Sequence, residues 1–373
     1  MLISSGKPAD RTRRRLYRSG YFLRGQGLLL HPGWTGILRK RKEGGILTHS
    51  DAAVFLINED CYTQQMTETV EPYLQKYRKN HTLFREQNQP IHCESFVRAC
   101  PRAIILISPG FTECTVKYQE LIFYFLKSEY AVFILDHCEH GKSFRLTDDP
   151  SRVHADDYHR WIGDLSCAAH FAQTLLPDLP LYLYAHSMGG GIGAALLGIE
   201  PDLFSKAILT SPMIRPATAG IPWTLTRLVT GLFCLIGKGK DYAPGNHPFD
   251  PNAAFENCAC VSRKRYEWYQ EKRRSDPLLQ MSGATWGWLQ NAIRLSGFIM
   301  KTAWKTVSCP VLLFQAENES FVVNAQQERY LEKVSPLVSA QLVRIPGTKH
   351  EIYRSHNDAL EVFLNEVFAF YAS

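Results

Sequence analysis

Short, continuous apolar runs recur along this chain, and the segments between them carry apolar residues at helical spacing. The runs fall at 103–108 (Ala-Ile-Ile-Leu-Ile-Ser), 131–135, 181–184, 206–210, 310–315 and 340–345. Runs of this length without alternation suit strands buried on both faces, as in a parallel sheet. Segments 115–127, 157–176, 188–199, 324–334 and 356–371 read as helices. Upstream, 82–85 and 91–97 read as a hairpin around a Gln-Asn-Gln-Pro turn, and 55–75 as short helices. Strands alternating with helices predict a mostly parallel sheet covered on both faces.

The alternation stops between about 212 and 308, where aromatic, proline and basic residues dominate and no clear strand is visible. A helical insertion so late in the sheet is expected over the C-terminal strand ends, where ligands bind. The pattern therefore predicts one domain over 46–373 carrying a helical cap at 212–308. Within the cap, Leu225, Leu228, Val229, Leu232, Phe233 and Ile236 share one helical face. Leu228, Leu232 and Phe233 are candidates for an acyl-chain wall or a membrane-facing surface. Packing into the core explains the same stripe.

The stretch 180–200 organises the rest. An apolar strand meets a helix rich in Ala, Leu and Gly, and Ala185-His186-Ser187-Met188-Gly189 lies at the corner. Small residues two before and two after the Ser let strand and helix pass closely. This is the pattern of a nucleophile elbow, which exposes its Ser on a strained turn. Ala185 stands where Gly is usual, and a methyl is the least a non-Gly residue adds. Ser187 also lies at a helix N-terminus, which favours negative charge.

A Ser nucleophile needs a base, and the base needs an orienting acid, in the chain order Ser, acid, His for this kind of elbow. His350 follows the last apolar run and precedes the last helix; His356 is the fallback. Glu317 and Glu319 compete as the acid after run 310–315. An oxyanion hole needs two N–H donors. Met188, next to the Ser, would supply one, and Phe111, after the tight Pro109-Gly110 turn, the other.

Composition narrows the setting. Hydrophobic residues make up 45% and charged ones 21%, as in soluble globular proteins. The ten Cys show no zinc spacing, and Cys258-Ala259-Cys260 is the only close pair. No metal or cofactor is expected. No secretory signal is apparent, and run 228–236 is too short to span a bilayer. These features predict a reducing, cytoplasmic setting with free thiols, and they leave open peripheral contact with the inner face of a membrane. Residues 1–45 hold eleven Lys or Arg against Asp10 and Glu43, which is +9 of a chain total of +6. Such an arm could meet anionic lipid, meet nucleic acid, resemble a transit peptide or simply be solvated. Arg263, Lys264, Arg265, Lys272, Arg273 and Arg274 form a second basic cluster.

Residues 181–214, with Ala-His-Ser-Met-Gly-Gly and later Ala207-Ile208-Leu209-Thr210-Ser211-Pro212-Met213, resemble the elbow region of monoacylglycerol lipases, as do Asp157-Tyr158-His159 and Trp161-Ile162-Gly163-Asp164-Leu165. Other stretches are similar to bacterial inner-membrane lysophospholipases. These include Val116-Lys117-Tyr118-Gln119-Glu120-Leu121, Ser262-Arg263-Lys264-Arg265-Tyr266, Gly283-Ala284-Thr285-Trp286-Gly287-Trp288-Leu289 and Gln315-Ala316-Glu317. The resemblance covers about 80–373. It implies an α/β-hydrolase fold and a serine esterase acting on single-chain glycerolipids. It also favours Glu319, since in that superfamily the acid lies three residues past a small residue, here Ala316. The implied catalytic set is Ser187, Glu319 and His350. Anionic phospholipid then becomes a better partner than nucleic acid, and no obligate protein partner is implied. The chain departs from the lysophospholipases at Cys138-Glu139, where Arg-Gly is usual. Two other readings stay open. One is a peptidase of the proline iminopeptidase type, which would need an acidic cap site where this cap is basic. The other is a non-catalytic binding protein on the same fold.

Overall fold

In the computed structural model, which describes residues 55–85 and 88–373, the apolar runs become the strands of one sheet. The basic arm expected over 1–45 lies outside the described residues, as does Gln87 of the hairpin turn. The strands are β1 (Arg78–Arg85), β2 (Gln89–Phe96), β3 (Ile104–Ser108), β4 (Ala131–Leu135), β5 (Arg152–Val153), β6 (Leu181–His186), β7 (Lys206–Thr210), β8 (Gly283–Ala284), β9 (Val311–Asn318) and β10 (Ala340–Lys349). Eight of them form a sheet in the order β1-β2-β4-β3-β6-β7-β9-β10. β1, β2 and β4 pair antiparallel. The remaining pairs are parallel.

Side chains alternate across this sheet and feed two cores. Ile104 and Leu106 of β3 face one cluster, Ile105 and Ile107 the other. The first core is closed by helices α2 (Tyr158–Leu175) and α3 (Ser187–Ile199), the second by α1 (Gln119–Lys127) and α8 (Asn357–Ala372). Asp157 caps α2 by accepting the His159 N–H, which satisfies a donor that the helix end leaves free. Short helical segments Tyr62–Gln65, Met66–Val70 and Glu71–Gln75 lie over the second core. This is the α/β-hydrolase arrangement that the resemblance implied.

The insertion contains α4 (Trp223–Leu235), α5 (Arg263–Ser275) and α6 (Trp286–Lys301); α7 (Asn324–Val334) follows β9. Two features differ from the pattern-based expectation. The insertion is not all helix, because β8 pairs in parallel with β5. A two-residue strand has too short a period to read from sequence. In addition, Ala292, Leu295 and Ile299 of α6 are buried in the first core, so this helix packs against α3 as well as roofing the site.

The second basic cluster also reads differently in three dimensions. Arg265 is fully buried and pairs with Glu120 of α1 through Nε at 2.9 Å and Nη2 at 2.7 Å. Arg273 donates to the Leu279 and Met281 carbonyls, and Lys272 meets Glu71 at 2.7 Å. These cations dock α5 onto the domain. Burying a guanidinium is tolerable only when it is paired in this way.

Candidate active site

The site lies at the C-terminal ends of β3, β6, β9 and β10. Ser187 follows β6 and opens α3 with a φ of +52°, a left-handed value rare for a side chain other than Gly. The elbow therefore holds the strain its sequence implies. Two residues on, a methyl at Gly189 would meet the Ser108 carbonyl oxygen at 2.2 Å and that of Pro109 at 2.4 Å, so only Gly fits there. His350 follows β10 directly, and its Nε2 lies 2.8 Å from Ser187 Oγ. Its Nδ1 lies 2.7 Å from Glu319 Oε2.

Glu319 is placed by its own backbone turn. Its Oε1 accepts the Phe321 N–H at 2.7 Å and the Val322 N–H at 3.3 Å. Burial raises the Glu319 carboxyl, but these bonds and His350 outweigh it and hold it below its ordinary value. Glu317 is exposed instead and accepts the Gly347 N–H at 2.8 Å. The structure thus brings Ser187, His350 and Glu319 together and leaves Glu317 aside. His356 is exposed at the N-terminus of α8 and meets Glu59. The His350 carbonyl accepts the Ser211 hydroxyl at 2.9 Å, which ties this loop to the end of β7.

Phe111 lines the cavity above Ser187, and its ring lies 4.4 Å from that of Trp288. Met188 occupies the first turn of α3, where backbone N–H groups have no intrahelical acceptor. Its sulfur accepts the Trp288 indole N–H at 3.3 Å.

Several residues that sequence reasoning passed over brace this centre. Glu113 is buried behind the Phe111 loop. Its Oε2 accepts the Gly110 N–H at 2.7 Å and the Tyr118 hydroxyl at 2.5 Å; its Oε1 accepts Lys117 at 2.9 Å and Tyr353 at 3.0 Å. Burial pushes the Glu113 carboxyl up, but Lys117, His186 and Tyr118 overcome this and hold it well below the usual carboxylate range. Lys117 also reaches Glu351, beside His350, at 2.6 Å. The Glu113–Lys117 spacing of one helical turn is the available signal, and spacing alone does not tell a buried brace from a surface pair. His140 supports the same loop. Its Nε2 accepts the Thr112 N–H at 3.1 Å, and burial lowers it to about 4, so the ring stays neutral and able to accept.

A cavity of about 890 Å³ opens over Ser187. Met213, Ile221, Leu225, Val229, Trp286 and Leu289 are among its walls. The wall residues expected from sequence sit elsewhere. Leu228 and Leu232 point outward, 71% and 54% exposed, and Phe233 stacks on Trp286 at 4.2 Å. The cause is rotation of α4 about its axis. Thr226 and Thr230 are its buried side, so Leu225 and Val229 turn to the cavity and the remaining leucines to the surface. Among the described residues there is no cluster of His, Cys, Asp or Glu able to hold a metal ion.

The family described as serine aminopeptidase, S33 (Hydrolase_4) matches residues 99–357. The chain belongs to this family. Among curated proteins, the chain is 28% identical to lysophospholipase L2 of Escherichia coli (strain K12) over 275 residues, covering 72% of this chain and 80% of that protein. It is 32% identical to the Homo sapiens monoglyceride lipase over 114 residues, which is 31% of this chain and 36% of that one. Among solved structures, a soluble variant of the Saccharomyces cerevisiae monoglyceride lipase superposes with a TM-score of 0.60 at 17% identity, covering 78% of this chain and 94% of that one. At that identity the likeness speaks for the S33 fold alone.

Proposed function

We propose that this protein hydrolyses the carboxylic ester of a lysophospholipid or monoacylglycerol and releases a fatty acid through an acyl-enzyme. The observation that carries this reading is the line from Ser187 Oγ through His350 to Glu319 at the floor of an apolar cavity. Ser187 Oγ attacks the ester carbonyl carbon while His350 Nε2 takes its proton. Glu319 holds the Nδ1 proton and stabilises the imidazolium. The N–H groups of Phe111 and Met188 stabilise the oxyanion. His350 then protonates the leaving alcohol, and water, activated by the same imidazole, releases the acyl chain.

The family description names a serine aminopeptidase, so a peptide substrate is the second reading. A free amino terminus needs an unpaired carboxylate. The two acidic residues among the described cavity walls are Glu113 and Glu351, and Lys117 pairs with both. Arg354 pairs with Glu351 as well, at 2.8 Å. No acidic charge is left for an ammonium group, which favours the ester.

The outer face of α4 suits a lipid surface. Leu225, Leu228, Leu232, Leu235 and Ile236 are all exposed, while Leu225 also reaches the cavity. One helix thus carries an apolar stripe beside the substrate entrance, the composition of an interfacial helix. Among the described residues no helix is long and apolar enough to cross a membrane.

Labelling by a fluorophosphonate probe and hydrolysis of a lipid panel test the reading. Ser187→Ala should abolish labelling and lower turnover by about 10⁶ with the fold intact. Retained lipid hydrolysis in a folded Ser187→Ala protein would overturn it.

A further inference from the structure

Cys258 and Cys260 stand outside the machinery described above, yet they touch the loop that carries His350. Their sulfurs lie 3.5 Å apart. Cys260 is buried, whereas Cys258 is half-buried and lines a side cavity with Tyr266, Arg273 and Arg354. Ala259, between them, lines both this side cavity and the main one over Ser187. Its carbonyl accepts the Glu351 N–H at 2.8 Å. Lys349 Nζ donates to the carbonyls of Glu256 at 3.2 Å and Cys258 at 3.3 Å. Both sequence neighbours of His350 therefore grip the 256–259 segment.

The two thiols are not equivalent. The Cys260 thiol outweighs the effect of burial on Cys258 and brings it down to about 7, with Glu351 opposing and Lys349 assisting. Cys258 is thus the readier of the two thiols to ionise, and the thiolate is the form that reacts with oxidants. The same interaction and burial keep Cys260 protonated; oxidation of Cys258 removes that interaction, and Cys260 gives up its proton as it attacks.

We infer that Cys258 and Cys260 are a redox modification site, oxidised by peroxide to a disulfide that lowers the activity of the neighbouring catalytic centre. Cys258 thiolate attacks one oxygen of hydrogen peroxide. The O–O bond breaks, a sulfenic acid forms, and the departing hydroxide leaves as water with the proton Cys258 had released. Cys260 sulfur then attacks the sulfenic sulfur. The S–S bond forms, the S–O bond breaks, and hydroxide leaves with the Cys260 proton as a second water. The thiols lose two electrons and the peroxide gains them. A disulfide spans about 2.05 Å, well short of the present separation. Closing it must shorten the turn across Ala259, whose carbonyl holds the Glu351 N–H, and so strains the loop that aims His350 at Ser187.

The test exposes the intact protein to hydrogen peroxide and reads two signals. The first is mass, as loss of two hydrogens from the peptide holding Cys258 and Cys260, reversed by a thiol reductant. The second is hydrolysis of a soluble short-chain ester, and only this signal rests on the proposed esterase reading. The pair should oxidise and activity should fall by roughly fivefold or more, returning on reduction. Cys258→Ser and Cys260→Ala should each keep activity before peroxide and resist its effect, although eight other cysteines remain. A pair that stays reduced by mass, or oxidises with activity unchanged, would overturn the proposal, as would equal inactivation of Cys258→Ser. A protein without any esterase activity would sink the functional reading and leave the mass signal to decide the modification site.

Discussion

A methyl on Gly193 would stand 3.2 Å from the Cβ of Ala185, closer than such carbons normally approach. Ala185 occupies the elbow position where Gly is usual, and one helical turn past the elbow, Gly193 provides the space its methyl fills. The strand and α3 thus keep their close passage by moving the small residue from one partner to the other. Gly193→Ala should destabilise the fold by about 1–3 kcal/mol through overpacking, since Leu183 also crowds the site at 2.9 Å. Adding Ala185→Gly should recover part of that loss, with a coupling of about 0.5–3 kcal/mol. Denaturant unfolding of the four proteins in the cycle measures it, and strict additivity would refute the compensation.

This pair illustrates what the sequence made legible. Elements with a long period, such as β3, α2 and α7, could be read because burial on one or both faces imposes a pattern on many residues at once. The elbow could be read because its steric demands fall within five residues. The rotation of α4 could not. Its leucines and threonines form two faces of similar width, and only the docked partner, with Phe233 on Trp286, decides which turns inward. Glu113 and His140 were equally hidden. Each acts on the Phe111 loop through a contact that the fold creates, and a lone buried Glu or His carries no local signature.

Glu319 and Glu317 were separable only by spacing, and they now make distinct contacts. Gln keeps the shape of either side chain but cannot stabilise an imidazolium. Glu319→Gln should lower turnover by several orders of magnitude, about 10⁴ by comparison with another triad, with little change in KM. Glu317→Gln loses only a surface bond to Gly347 and should stay near normal. Steady-state kinetics on folded variants decide this, and the reverse ranking would reassign the acid.

The departure at Cys138-Glu139 also acquires a physical role. Glu139 is buried with a φ of +70°, and its carboxyl accepts the Leu146 N–H at 2.6 Å and the Thr147 hydroxyl at 3.2 Å. Burial raises it to about 7 despite these bonds and Arg145. Its folded value thus exceeds the unfolded carboxyl value of about 4.3. Between those values the folded state binds more protons than the unfolded state, so stability falls as pH rises from about 4 to about 7. The loss should be on the order of 3–4 kcal/mol. Glu139→Gln removes this titration. Relative to the wild type it should gain stability as pH is raised from about 4 to about 8, a range that spans this window. Parallel pH curves for the two proteins would exclude Glu139 as the source.

The exposed stripe of α4 makes the remaining prediction, and it separates two forces. Leu235 is 84% exposed and Ile236 56%, beside a cavity whose wall begins at Leu225 on the same helix. Burying such side chains in lipid gains about 1.5–3 kcal/mol each when complete. The double variant Leu235→Gln, Ile236→Gln should therefore weaken binding to vesicles by about tenfold or more, while hydrolysis of a soluble short ester stays unchanged. That loss should be similar for neutral and anionic vesicles, because apolar transfer does not depend on the sign of lipid charge. Salt tests the other force. Arg265 and Arg273 of α5 are committed within the fold, so any preference for anionic lipid must come from exposed cations, including Arg263, Lys264 and Arg274 of α5 and Arg227 and Lys238 near the stripe. Raising salt from 0.1 M to 1 M shortens the Debye length from about 10 Å to about 3 Å and should remove that preference while leaving the apolar binding in place. Vesicle co-sedimentation across this salt range reads both effects. Undiminished binding of the double variant would show that α4 does not meet the lipid.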